Sequence, residues 1–192
     1  MLVNCGMSSI DMTSAVLTAH PSTPNDDVRS LTVQLRAEEP DILVFRYSLL
    51  ADMSHVHVPL SGDGGRADAL WQHTCFEAFV AAKDAPGYHE FNFSPSRDWA
   101  VYRFSAYREG MSPAEIAPAP QISVRRSDDG LELKSVVRLG HLADLRDVRH
   151  LRIALAAVIE DDHGRLSYWG LRHAPSKPDF HHPNGFALEL VR

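Results

Sequence analysis

The chain has 192 residues, 44% hydrophobic and 23% charged, which suits one domain with a full core and excludes a largely disordered polypeptide. Its formal net charge of −6, with 19 dispersed basic residues, argues against the basic surface that non-specific nucleic-acid binding requires. No run approaches the roughly 20 apolar residues of a transmembrane helix, and two cysteines, Cys5 and Cys75, cannot build a disulfide framework.

The start of the chain lacks a basic segment followed by a sustained apolar core, so no secretory signal is read and the cytoplasm is the expected compartment. Residues 1–12 are candidates for disorder within an otherwise single domain spanning 1–192, and 18–27 read as an exposed loop. From there the pattern is period two. Leu31, Val33 and Leu35 alternate with polar neighbours, and a second run over 42–50 follows Pro40-Asp41. Segments 74–82, 89–94 and 99–107 are rich in aromatic and β-branched residues, with Gly-, Pro- and Asp-containing turns between them. Residues 111–120 hold three prolines and are expected to cross between sheets. Runs 121–126 and 131–137 flank Ser127-Asp128-Asp129-Gly130, a hairpin signature in which the Asp-Gly pair is expected to supply positive φ. Single helical turns are predicted at 113–116 and 141–145; strands return over 151–160, 165–170 and 186–191. About ten short strands with turn spacing predict an antiparallel two-sheet β-sandwich, immunoglobulin- or jelly-roll-like.

Three strands carry polar side chains that could form a site. Cys75, Glu77 and Phe79 share one face of their strand; Glu90, Asn92 and Ser94 share another; Trp99, Val101 and Arg103 share a third. Sequential strands tend to be neighbours, so Glu77, Glu90, Asn92 and Arg103 are expected on one sheet surface. Carboxylates, an amide and a guanidinium suit sugar hydroxyls, and flat aromatic rings suit the C–H faces of a sugar. The same residues also describe a solvated outer face or a Glu–Arg pair that only fixes packing. His55-Val56-His57 and His181-His182 invite a metal, but no ligand set with zinc-like spacing accompanies them, and none is predicted. Nucleophile elbow, phosphate-binding glycine loop and His-Glu-x-x-His are all missing, so no catalytic constellation is legible.

Three motifs in order resemble bacterial DOMON-like domains related to family 9 carbohydrate-binding modules. They are Arg66-x-Asp68-x-Leu70-Trp71-x-x-Thr74-Cys75-Phe76-Glu77; Gly87-Tyr88-x-Glu90-Phe91-Asn92-Phe93-Ser94-Pro95-Ser96 with Trp99-Ala100-x-Tyr102-Arg103-Phe104; and Tyr168-Trp169-Gly170-Leu171, then Lys177-Pro178-Asp179-Phe180-His181 and Gly185-Phe186-Ala187-Leu188. The resemblance runs from about Leu31 to the end of the chain and is close to a subgroup named after UDP-N-acetylmuramate dehydrogenase, with no flavin-reductase feature to carry over. It implies a sandwich with one concave binding face, on which two tryptophans clamp a sugar ring.

Residue by residue, the resemblance assigns Trp71 and Trp169 as platforms and Glu77 as the strand carboxylate. Asn92 and Arg103 follow by strand and face. Each tryptophan is equally readable as a core anchor. The reading is therefore a non-catalytic binding domain for a glycan or other small molecule, with no cofactor and no nucleic-acid or membrane partner. The alternatives are a haem or redox-cofactor module, for which Met53 near His55 is the sequence hint, and a protein-interaction sandwich whose sugar site has decayed.

Overall fold

A computed structural model of the chain describes residues 12–192. Twelve strands follow in order: β1 (Met12–Ala19), β2 (Val28–Glu39), β3 (Ile42–Ala51), β4 (Cys75–Ala82), β5 (Tyr88–Phe93), β6 (Trp99–Phe104), β7 (Ser112–Pro113), β8 (Gln121–Ser127), β9 (Gly130–Arg138), β10 (His150–Glu160), β11 (Leu166–Gly170) and β12 (Leu188–Val191). Two 3-10 turns, Leu70–Gln72 and Pro183–Gly185, complete the named elements. All pairings between these strands are antiparallel. Among the described residues no helix is long and apolar enough to cross a membrane.

The strands form one curled, hydrogen-bonded path, β7-β6-β5-β4-β10-β11-β1-β2-β3-β9-β8, with β12 added beside β10. Continuity between its two limbs rests on the end of β1, where only Thr18↔Gly170 and Ala19↔Trp169 pair with β11. The limbs close over a common core. Phe45 meets Phe93 at 5.9 Å between ring centroids, Tyr47 meets Phe76 at 5.1 Å, and the Tyr47 hydroxyl donates to the Glu77 carbonyl at 2.7 Å. Burial and the nearby Glu77 push the Tyr47 phenol well above its usual range, so it stays a neutral donor. Alternation explains the inward face: Leu31, Val33 and Leu35 of β2 are all buried.

The structure departs from the sequence reading at several points. The expected disorder of 1–12 falls outside the described residues except at Met12, which opens β1. Thr18 and Ala19 belong to that strand rather than to a loop. The predicted turn at 113–116 gives way to β7, whose Ser112 and Pro113 pair with Arg103 and Tyr102. Residues 141–145 do turn, with the Leu145 and Arg146 amides donating to the Leu142 carbonyl. In the β8–β9 hairpin Ser127 pairs with Gly130, so Asp128 and Asp129 make the turn. Gly130 is not among the positive-φ glycines. It is required by crowding: a Cβ there would sit 2.6 Å from the Leu49 carbonyl oxygen of β3.

A cavity on the outer face of the β6-β5-β4-β10-β11 limb

Register decides which side chains share a surface. Glu77 pairs with Asn92 and Phe79 with Glu90; Asn92 in turn pairs with Ala100 and Glu90 with Tyr102. Across the other edge of β4, Glu77 pairs with Ala156 and Cys75 with Val158, and Val158 pairs with Tyr168. Cys75, Glu77, Glu90, Asn92, Tyr102, Val158 and Tyr168 therefore lie on one face, turned away from the core between the limbs. A second apolar layer covers part of it. Phe79, Tyr88, Tyr102 and Phe104 pack there with Leu70, Phe180 and Phe186.

A cavity of about 350 Å³ opens on this face, within the range of small-molecule sites. Trp71, Phe104, Tyr168 and Phe180 supply rings, and Glu77, Glu90, Arg108, Asp179 and His181 supply polar groups. Trp71 stands on the Leu70–Gln72 turn and meets Tyr102 edge-on at 5.8 Å. Tyr102 is itself tied down, donating to Asp68 at 2.5 Å. Two residues that frame the cavity have left-handed backbone: Ala69, just before the Trp71 turn, at φ 60°, and Arg108 at φ 56°. Such conformations cost about 1–2 kcal/mol in a non-glycine residue and persist where the surroundings impose them, often at ligand sites.

The polar wall is ordered by a chain of contacts. The Asn92 amide donates to Glu90 Oε1 at 2.7 Å, and its own oxygen faces the Cys75 thiol at 3.7 Å. Glu77 is buried, and its Oε1 meets no hydrogen-bond partner among the described residues. Burial, reinforced by Glu90, pushes the Glu77 carboxyl well above the usual carboxylate range. Burial also raises Glu90, against which the Asn92 hydrogen bond and the Arg108 charge pull. Arg108 grips Asp179 Oδ1 through Nε at 3.2 Å and Nη2 at 2.7 Å, and Tyr107 donates to the other oxygen. Although burial opposes ionisation, these bonds hold Asp179 below the usual range. Burial, helped by Arg108, drives His181 down to about 4, so its ring is neutral at pH 7. Its Nδ1 faces the Tyr88 hydroxyl at 2.8 Å, and its Nε2 lies 3.7 Å from Glu90 Oε2.

Of the five residues singled out from sequence, two line the cavity: Trp71 and Glu77. Asn92 is on the right face but fully enclosed, and its role is to orient Glu90. Arg103 is on the opposite face. It pairs with His89, one residue out of phase with Glu90, and reaches past the sheet edge to Asp144 at 2.5 Å. Polar positions of successive strands do not align by polarity; register aligns them. Trp169 is likewise inverted. It pairs with Ala157, which pairs with Phe76, so the indole enters the core, 7% exposed, with Nε1 donating to Ser167 Oγ at 3.0 Å. Its neighbour Tyr168 takes the cavity side, so the expected clamp of two tryptophans does not form. Met53, the sequence hint for haem, is buried in the core cluster. Arg108 went unnoticed in the sequence. Tyr168, Asp179 and His181 stood in motifs of the resemblance, without a role.

No family profile and no curated protein matches the sequence significantly. Solved structures similar in fold include two carbohydrate-binding ones. A "putative carbohydrate-binding protein" from Bacteroides uniformis matches at a TM-score of 0.68 and 15% identity, covering 92% of this chain and 84% of its own. A family 9 carbohydrate-binding module from Caldicellulosiruptor kristjanssonii, in complex with cellotriose, matches at a TM-score of 0.51 and 11% identity, covering 89% and 83%. At these identities the likeness is one of fold, all-β and antiparallel.

Proposed function

We propose that this chain is a non-catalytic carbohydrate-binding domain that takes its ligand in the cavity on the outer face of the β4–β5–β6 and β10–β11 strands. The observation that carries the reading is the composition of that cavity: Trp71 and Tyr168 stand with Glu77, Glu90 and Arg108 around about 350 Å³. A sugar needs both chemistries at once. Its C–H faces rest on rings, and its hydroxyls exchange hydrogen bonds with carboxyls and a guanidinium. Two of the Arg108 donors are used on Asp179, and the fork has five. The fold likeness to a module in complex with cellotriose supports the reading.

The finer assignments belong to the same proposal. They are a DOMON-like relationship, a single domain whose limbs act as the two sheets of a sandwich, a cytoplasmic location, and a soluble glycan partner in preference to nucleic acid or membrane. The net charge of −6 supports the last of these.

The test is a glycan array on the purified chain, followed by calorimetry with the best hit and with cellotriose. We expect binding to one class of neutral sugar, weakened at least tenfold by Tyr168→Ala. Failure of every glycan to bind, or undiminished binding by Tyr168→Ala, overturns the proposal.

A further inference from the structure

The sequence reading predicts no metal, yet folding brings three metal-ligating groups together. We propose that His57, His73 and Glu160 bind a first-row divalent cation of the zinc class. Their ligand atoms all lie within 4.8 Å of one another. Glu160 Oε2 is 2.7 Å from His73 Nδ1 and 3.1 Å from His57 Nδ1. Zinc bonds of about 2.0–2.2 Å set tetrahedral ligand atoms roughly 3.3–3.5 Å apart. An ion therefore needs the carboxylate oxygen to withdraw by a few tenths of an ångström and the rings to tilt.

Charge points the same way. Glu160 is buried, and among the described residues its ion-pair partners are these two imidazoles. Neighbouring charges are otherwise engaged: Asp161 holds Arg165 at 2.6 Å, and Asp162 faces His55 at 3.3 Å. A buried carboxylate is costly unless it is paired or coordinates a metal; a divalent cation seated against both imidazoles meets that need.

The ligand-bearing segments are also fixed before any ion arrives. The His57 amide donates to the Glu160 carbonyl at 2.9 Å. Thr74, next to His73, donates through its hydroxyl to the His57 carbonyl at 2.6 Å and accepts from the Glu160 amide at 3.0 Å. One threonine thus pins all three segments, the preorganisation a metal centre needs. Two imidazoles and one carboxylate favour zinc, cobalt, nickel or copper over calcium or magnesium. Both rings are about half exposed, so a fourth position is open to water.

The site sits beside the sugar cavity. His73 follows Trp71 by two residues, and Glu160 follows Val158 by two on the same face of β10. An ion therefore ties the turn carrying Trp71 to β10. Resting on the sugar-binding reading, the ion should tighten sugar affinity and sugar should tighten the ion by the same factor.

The full chain, stripped with a chelator, is titrated with Zn²⁺ by calorimetry and with Co²⁺ by visible absorption. We expect one equivalent to bind, with the intense d–d bands of a four-coordinate cobalt centre. Glu160→Gln and His73→Asn should each weaken binding at least tenfold, with the melting temperature of His73→Asn unchanged in chelator. His182→Asn, a partly buried histidine outside the cluster, should bind like the parent. If Glu160→Gln fails to fold, His73→Asn and His57→Asn decide. No uptake, undiminished binding by the ligand variants, equal preference for Ca²⁺, or loss in His182→Asn overturns the proposal. Metal uptake is read without sugar, so failure of the sugar reading leaves this result intact.

Discussion

Replacing each of two tryptophans by alanine separates a cavity wall from a core. Trp169 is 7% exposed, packs in the core cluster and satisfies its indole N–H on Ser167 Oγ. Truncating such a residue costs about 3–5 kcal/mol. At about 2–4 °C per kcal/mol for a chain of this size, the melting temperature should fall by about 6–20 °C. Trp71 is 36% exposed, and its described ring partner is Tyr102, edge-on. An aromatic pair contributes about 0.5–1.5 kcal/mol beyond its area, and this ring is only partly covered, so Trp71→Ala should lower melting by less than Trp169→Ala does. Binding should divide the other way. Trp71→Ala should lose at least tenfold in affinity for the sugar, about 1.4 kcal/mol, while folded Trp169→Ala keeps most of it. The assay is differential scanning calorimetry of both variants with isothermal titration of the same sugar. If Trp169→Ala melts like the parent but loses the sugar, the indole lies in the site and the register argument is wrong.

Three further outcomes follow from the same geometry. Glu77→Gln keeps the buried polar atoms but removes the ionisable proton, so it should stabilise the protein near pH 7 by up to about 3 kcal/mol, at about 1.4 kcal/mol per pH unit above the unfolded pKa. A carboxyl whose folded pKa is raised loses stability as pH climbs above its unfolded value near 4.5, so parent and variant should converge in acid; a pH-independent difference in urea unfolding refutes this. His89 and His181 are each lowered by burial to about 4. Their neutral forms support the fold above their unfolded pKa of 6.5, and that support should be lost as pH falls from about 6.5 to 4. His181→Gln should flatten this limb of the melting curve, and an unchanged slope contradicts it. Arg103→Ala should leave sugar affinity unchanged and cost no more than about 1 kcal/mol, the scale of an exposed ion pair; a lost sugar signal by calorimetry returns Arg103 to the site.

What the sequence made legible is what local pattern determines. The strand runs of β2 and β3 follow from alternation, and the β8–β9 hairpin from Asp-Asp-Gly between two such runs. β1 was invisible because its burial inverts expectation: Met12 and Val16 are exposed, and Leu17 is the residue it buries. Most of β1 pairs with its neighbour β2, but its second partner, β11, is about 150 residues away. Glu77 was legible because it alternates with the inward residues of its strand, whereas Trp71, just before that strand, came from the resemblance. Arg103 and Trp169 were misplaced because a single residue of register exchanges the two faces. The sum of paired residue numbers fixes that register, and no local pattern contains it. Arg108 stands in a left-handed turn, and Asp179 and His181 in a loop without periodicity.

The carboxyl pair bears on what the cavity can hold. Glycoside hydrolysis asks one carboxyl to keep a proton while its partner, ionised, attacks or activates water. Here burial raises both, and Glu90 is eased back by Asn92 and Arg108. A protonated Glu77 can donate to a sugar oxygen, while Glu90 accepts from a hydroxyl. The remaining charges largely cancel: Arg108 is bound to Asp179, and His181 is neutral. A ligand carboxylate or phosphate would meet Glu90 and Asp179 with the charge of Arg108 already offset by Asp179, whereas its remaining N–H donors can still serve a neutral hydroxyl. A neutral polyhydroxyl ring meets matched donors and acceptors, with Trp71 and Tyr168 for its apolar faces.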